Sequence, residues 1–272
     1  MIALLVALLY ATCALAGELH RPVIKYPDSR RLGLDLVAAL PSRTKKVTVW
    51  SGARANKIPK GCADVVRAHK LNTKDITVVD VEYNDSDIVY ALCHHPKAKM
   101  SLDKLIDWYG KAPGFLRTNA RHVMAIPGTG ASGIASNDNV AYFSDIGMQG
   151  FIHELGHELD TWCAFPGKKK AWDKCRDTPI WREAFNEDWA AVTEYANANH
   201  GENFAELTVH ALYQWHVQGG IDRLGGTING QPAKSSYEHE VGRIMDFCWK
   251  ELGGTTHVRK EDGYKEYPIV DK

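Results

Sequence analysis

The apolar positions of this chain change period near its middle. In the first half, KKVTVWSG (45–52), DITVVDVEY (75–83) and DIVYALC (87–93) are dense in β-branched and aromatic residues and end at turn residues, which predicts strands. CADVVRAHKL (62–71) and SLDKLIDWYG (101–110) carry their apolar residues at helical spacing instead. HVMAIP (122–127) and NVAYFSD (139–145) predict two more strands, joined by GTGASGIASNDN, which reads as a flexible loop. Beyond it the pattern is helical: MQGFIHELGHELDTW (148–162), IWREAFNEDWAAVTEYANA (180–198), ENFAELTVHALYQW (202–215) and YEHEVGRIMDFCWKEL (237–252). Strands first and helices later predict an α+β fold, with an N-terminal mixed sheet followed by a C-terminal helical subdomain.

With 272 residues and no composition break, one large domain is expected over residues 41–272. The chain is 44% hydrophobic and 24% charged, its formal net charge is zero, and its basic residues are scattered. That distribution argues against an electrostatic grip on nucleic acid or an anionic membrane, and a monomer is expected. The first residues, MIALLVALLYATCALAG, have no charged side chain and end in Ala14-Leu15-Ala16, which fits small residues before a signal-peptidase cut. Residues 1–16 therefore read as a secretory signal and residues 17–40 as an N-terminal extension, with Arg30-Arg31 a candidate processing site. The apolar run is short of the ~20 residues that a membrane span needs.

Secretion changes the reading of the cysteines. Cys13 leaves with the signal, and Cys62, Cys93, Cys163, Cys175 and Cys248 remain. An oxidising compartment favours disulfides. Cys163–Cys175 and Cys62–Cys93 are the expected pairs, with Cys248 a buried free thiol. One glycosylation sequon, Asn84-Asp85-Ser86, falls in a polar turn between two predicted strands. Gly128-x-Gly130-x-x-Gly133 superficially matches a dinucleotide fingerprint, but a strand follows it where a helix is required.

The chemistry concentrates in FIHELGHELD, residues 151–160. His153 and His157 stand four apart on a predicted helix, roughly 40° apart round its axis, so both project from one face. Two imidazoles placed so can reach one Zn2+ at ~2.0–2.1 Å. Glu154 has the place of a general base beside a metal-bound water. Met148, Ile152, Leu155 and Leu159 form a separate apolar stripe, and Gly156 costs about 1 kcal/mol against alanine, which suggests a close packing partner.

Known zinc enzymes place the third ligand differently. A metzincin would need a histidine where Cys163 stands, and a thermolysin-like enzyme a glutamate near Asp177, so neither pattern fits. The Gly-Thr-x-x-Asp of aspzincins is absent. Farther on lies TEYANANHGENFAEL (193–207), where Tyr195 precedes Glu202 by seven positions and Glu206 follows it by four. His-Glu-Leu-Gly-His, then Tyr-x6-Glu, then Phe-Ala-Glu resembles the anthrax lethal factor-like metallopeptidases, which include bacterial Pro-Pro endopeptidases and secreted fungal proteins. The match covers about 60 residues.

The resemblance implies one zinc ion held by His153, His157 and Glu202, with Glu154 as base and Tyr195 aimed at the oxyanion of a peptide or protein substrate. It implies no other cofactor. Each assignment has a plainer rival: Glu202 as a charge at a helix N-terminus, Glu187 as ligand, and Tyr195 as core beside Phe185, Trp189 and Val192. Glu206 and Asp160 are candidates to orient the histidines. The expectation is thus a secreted zinc metalloendopeptidase of gluzincin type; the alternative is a secreted zinc-binding or interaction protein on the same fold without turnover.

Overall fold

The computed structural model describes residues 19–128, 130, 132–162, 165–168, 170, 173–250 and 267–272, with backbone alone at 248–250. The expected signal, residues 1–16, lies outside them. In chain order the elements are α1 (Arg31–Ala39), β1 (Thr44–Val49), β2 (Lys57–Pro59), α2 (Lys60–Ala68), β3 (Thr77–Tyr83), β4 (Val89–His94), α3 (Leu102–Lys111), α4 (Gly114–Arg117) and β5 (His122–Ala125). They continue with β6 (Gly133–Ser136), β7 (Asn139–Tyr142), α5 (Met148–Trp162), α6 (Pro179–Glu187), α7 (His200–His216), β8 (Thr227–Ile228), β9 (Gln231–Pro232), α8 (Glu238–Ile244) and β10 (Ile269–Asp271). The α+β expectation is met.

The main sheet runs β1-β3-β4-β5-β7-β6. Its central β4, β5 and β7 are parallel, and antiparallel pairs flank them. Period-two alternation sorts its side chains between two cores. Val79, Val81, Tyr83, Tyr90 and Leu92 face a large core shared with α1, α5 and α7. Val78, Ala91 and Cys93 face a smaller core under α2 with Ile58, Cys62 and Val66. The expected Cys62–Cys93 disulfide joins α2 to β4 across that smaller core, with Cα atoms 6.5 Å apart. Cys175 is buried and disulfide-bonded. The proposed partner Cys163 and the side chain of Cys248 lie outside the described residues.

The sequence reading of 180–198 as one helix is corrected. α6 begins as expected, capped by Thr178 with Pro179 next to it, but it ends at Glu187. The Trp189 and Ala190 N–H groups donate to Ser236 O at 3.0 and 3.1 Å, and Ala191 N–H donates to Pro22 O at 2.9 Å. Ile24 N–H returns a 3.0 Å bond to Ala191 O. Backbone partners from the distant segments 22–24 and 236 outweigh local helix propensity here. A short 3-10 turn, Tyr195–Ala198, follows. The 237–252 helix also changes character, passing from α8 into a π-helical turn over Met245–Lys250.

The segment GTGASGIASNDN contains a strand as well as a loop. β6 pairs with β7 across Asn137-Asp138, both at positive φ (52° and 69°), the backbone of a tight hairpin turn that asparagine and aspartate tolerate. Among the described residues no helix is long and apolar enough to cross a membrane.

Candidate metal centre

α5 forms over the residues that the hydrophobic stripe predicted, and it packs chiefly against α7. The two helices touch at Gly156, where an added Cβ would stand 3.0 Å from Ala205 Cα and 3.2 Å from Ala205 O. Glycine brings the backbones together there, which accounts for its tolerance within a helix.

α7 is started by Asn199, whose Oδ1 accepts from Gly201 N–H at 2.8 Å and Glu202 N–H at 3.0 Å. Asparagine is a preferred N-cap, and a glutamate three residues later would ordinarily fold back on the cap. Glu202 turns toward α5 instead. Its Oε2 lies 3.0 Å from His153 Nε2 and 3.2 Å from His157 Nε2. The two imidazole Nε2 atoms are 3.1 Å apart. Three donors from two helices thus form a nearly equilateral triangle, and among the described residues this is the group of His, Cys, Asp and Glu side chains fit to share an ion.

The triangle can be tested against zinc. Donors ~2.0–2.1 Å from a tetrahedral zinc stand roughly 3.3–3.4 Å from one another. The observed edges need to open by only a few tenths of an ångström. The chemistry of the set, two imidazoles and one carboxylate, is also that of zinc sites with an open fourth position. The residues fit the ion.

Other side chains orient the donors. His153 Nδ1 stands 2.8 Å from Glu206 Oε1, close but off the axis of a full hydrogen bond. That contact leaves Nε2 facing the triangle. Glu206 is itself held by Thr193, whose hydroxyl donates to Oε2 at 3.1 Å. Sequence reasoning missed Thr193, because nothing local marks a threonine thirteen positions before its partner. Asp160, the other candidate, does not serve the histidines. It is fully buried and paired with Arg176, through a 3.0 Å bond from the Arg176 N–H and through the guanidinium.

The electrostatics are dominated by carboxylates. Burial opposes a charge on His153, but the Glu202 hydrogen bond and the Glu206 contact outweigh it and raise its pKa to about 10. Burial likewise opposes ionisation of Glu202, yet hydrogen bonds with His153 and His157 hold it at about 2. Burial raises Glu154, and the two histidines only partly offset this. Three mostly buried carboxylates thus share two imidazoles. A proton on His153 balances part of that negative charge, and a metal cation in its place would balance more.

The neighbouring side chains sort clearly. Glu154 packs against the edge strand β6, its Oε1 only 2.9 Å from where a Gly133 Cβ would be. Tyr195 is 54% exposed, on the 3-10 turn rather than in the core, with its ring centroid 5.5 Å from that of His153. Glu187 ends α6 and lies 3.9 Å from His239, outside the triangle. His94 and His95 part as strand neighbours do: His94 Nε2 is 3.0 Å from Met100 O, and His95 Nδ1 accepts from Lys97 N–H at 3.0 Å. His210 is buried between Glu206 O and the Tyr26 hydroxyl.

Fold and site together define an α+β protein with a preformed three-donor cluster between two packed helices. The chain belongs to the family of conidiation-specific protein Con-13, which it matches over residues 33–251. No curated protein matches it.

This membership corrects the functional expectation. The family covering most of the chain is not a zinc metallopeptidase family, so the anthrax lethal factor-like assignment does not hold. With it go the gluzincin label, the hydrolase and protease reading, and the roles given to Glu154 and Tyr195 in peptide hydrolysis. The physical reason is the reach of the motif. About 60 residues place donors around a metal position, but such a set recurs on unrelated proteins and does not fix a reaction.

Proposed function

We propose that the protein is a secreted zinc-binding protein of the conidiation-specific family, holding one Zn2+ per chain through His153 Nε2, His157 Nε2 and Glu202 Oε2. The observation that carries the reading is the triangle of edges 3.0, 3.1 and 3.2 Å between these atoms. The buried Glu206 carboxylate supports it: burial opposes its ionisation, but the contact with His153 keeps it charged, a negative group beside the donors. So does the arrangement of Glu206 and Thr193, which fixes His153 before any ion arrives. The Asn199 cap does the same for Glu202. A zinc ion there would act as a Lewis acid on whatever ligand completed its shell. Secretion is supported by the signal-like N-terminus and by the Cys62–Cys93 disulfide, a bond that persists in oxidising compartments. The family description supports conidiation as the process in which this binding would act.

Metal analysis of the purified protein after exhaustive dialysis tests this reading. About one zinc per wild-type chain is expected, and far less in Glu202→Ala. Equal zinc in both proteins would remove Glu202 from the site, and no zinc in the wild type after loading would end the proposal. Glu206→Gln, which touches no metal, should retain the ion but weaken it by about 10–100-fold.

A further inference from the structure

Asn84 belongs to the chain's one Asn-x-Ser/Thr sequon and sits at the tip of the hairpin joining β3 to β4. It is exposed. Its backbone is fixed, because the Asn84 N–H donates to Arg43 O at 2.8 Å. The next residue is tied inward: Asp85 meets Arg43 at 3.1 Å and also pairs with the fully buried Arg117. Ser86 Oγ accepts from Ile88 N–H at 3.1 Å, closing a compact turn. The sequon is therefore anchored at its second and third residues and open to solvent at its first.

The surroundings suit a bulky polar attachment. Tyr83, just before Asn84, pairs with Thr44, so the tip borders the start of edge strand β1. That strand is exposed on both faces, with Val47 at 43% and Val49 at 56%. Free edges of this kind invite pairing with other chains, and proteins blunt them with bulky or charged groups.

We infer that Asn84 carries an N-linked glycan, attached when the chain passes through the secretory pathway, and that the glycan shields the β1 corner of the sheet. The inference rests on the secretion part of the proposed function and is independent of the metal. Glycan transfer forms a bond between the Asn84 amide nitrogen and the first sugar of a lipid-linked oligosaccharide. The lipid pyrophosphate leaves, and the amide loses one proton.

The test is expression of the full chain in a eukaryotic secretory host, with a parallel form in which a host leader replaces residues 1–16. Treatment of the secreted protein with an amidase specific for N-glycans should raise its mobility by one discrete step. It should also convert Asn84 to aspartate in the recovered peptide. Asn84→Gln, and by a second route Ser86→Ala, should abolish the step while the protein is still secreted. Secreted protein whose Asn84 peptide is unmodified, in either form, overturns the inference. Retention of the native chain while the leader form is glycosylated upholds the site and sinks the secretion reading.

Discussion

Arg21→Ala should destabilise the protein by about 3–5 kcal/mol, the cost of leaving a buried charge without its partner. Arg21 lies in an N-terminal strap that runs across the helical half. Its Nη1 is 2.7 Å from Glu240 Oε2, its Nη2 donates to Phe185 O, and its guanidinium lies 3.5 Å over the Phe185 ring. Glu240 is fully buried, and its other oxygen accepts from Asn203 Nδ2 at 2.6 Å. The strap's backbone closes the arrangement: Arg21 N–H donates to Asn197 Oδ1 at 3.1 Å, and Asn197 Nδ2 donates back to Arg21 O at 2.8 Å. Cleavage after Arg30-Arg31 would remove this strap and strand Glu240.

The loss should depend on pH in a defined sense. Burial lifts the Glu240 pKa from 4.5 to about 7, with Arg21 pulling the other way. An acid whose folded pKa is raised binds more protons folded than unfolded, so its cost grows as pH climbs through that window. Without Arg21 the window extends higher. Urea unfolding of wild type and Arg21→Ala at pH 5 and pH 8 should therefore show the larger gap at pH 8. Equal stability at pH 8 would mean that the pair does not hold the strap.

Zinc should stabilise the folded chain to a similar degree. An ion that binds only the native state at about 1,000 times its Kd adds about 4 kcal/mol. At about 2–4 °C per kcal/mol for a chain of this size, Tm should rise by roughly 8–16 °C. His157→Ala should lose most of that rise, because it removes one corner of the triangle while leaving the α5–α7 contact at Gly156 and Ala205 in place. A melting curve that zinc leaves unchanged in the wild type would contradict the binding site; an equal rise in both proteins would move it elsewhere.

What the sequence revealed follows the range of the forces involved. α5 was legible to both ends, because its apolar stripe and its histidine face repeat with the helical period. The central strands were legible because each lies in a short apolar stretch containing β-branched and aromatic residues and bounded by turn residues. The break after Glu187 was hidden, since its cause is backbone pairing with residues 22–24 and 236. β6 was hidden by its glycine and alanine content, which made all of GTGASGIASNDN read as a loop. Glu202 was ambiguous, because a carboxylate at a helix N-terminus is favourable for its charge alone. Only the structure shows that Asn199 takes both free N–H groups and the carboxylate turns to the histidines. The family lay beyond this kind of reading. Donor spacing reports on a metal position, and the rest of the chain determines kinship.

The most direct test of the zinc assignment is a crystal of the zinc-loaded protein measured on both sides of the zinc absorption edge. One anomalous peak should appear between α5 and α7, at about 2.0–2.1 Å from His153 Nε2, His157 Nε2 and Glu202 Oε2. A peak held by other side chains, or none in a crystal whose protein carries zinc, would contradict the assignment.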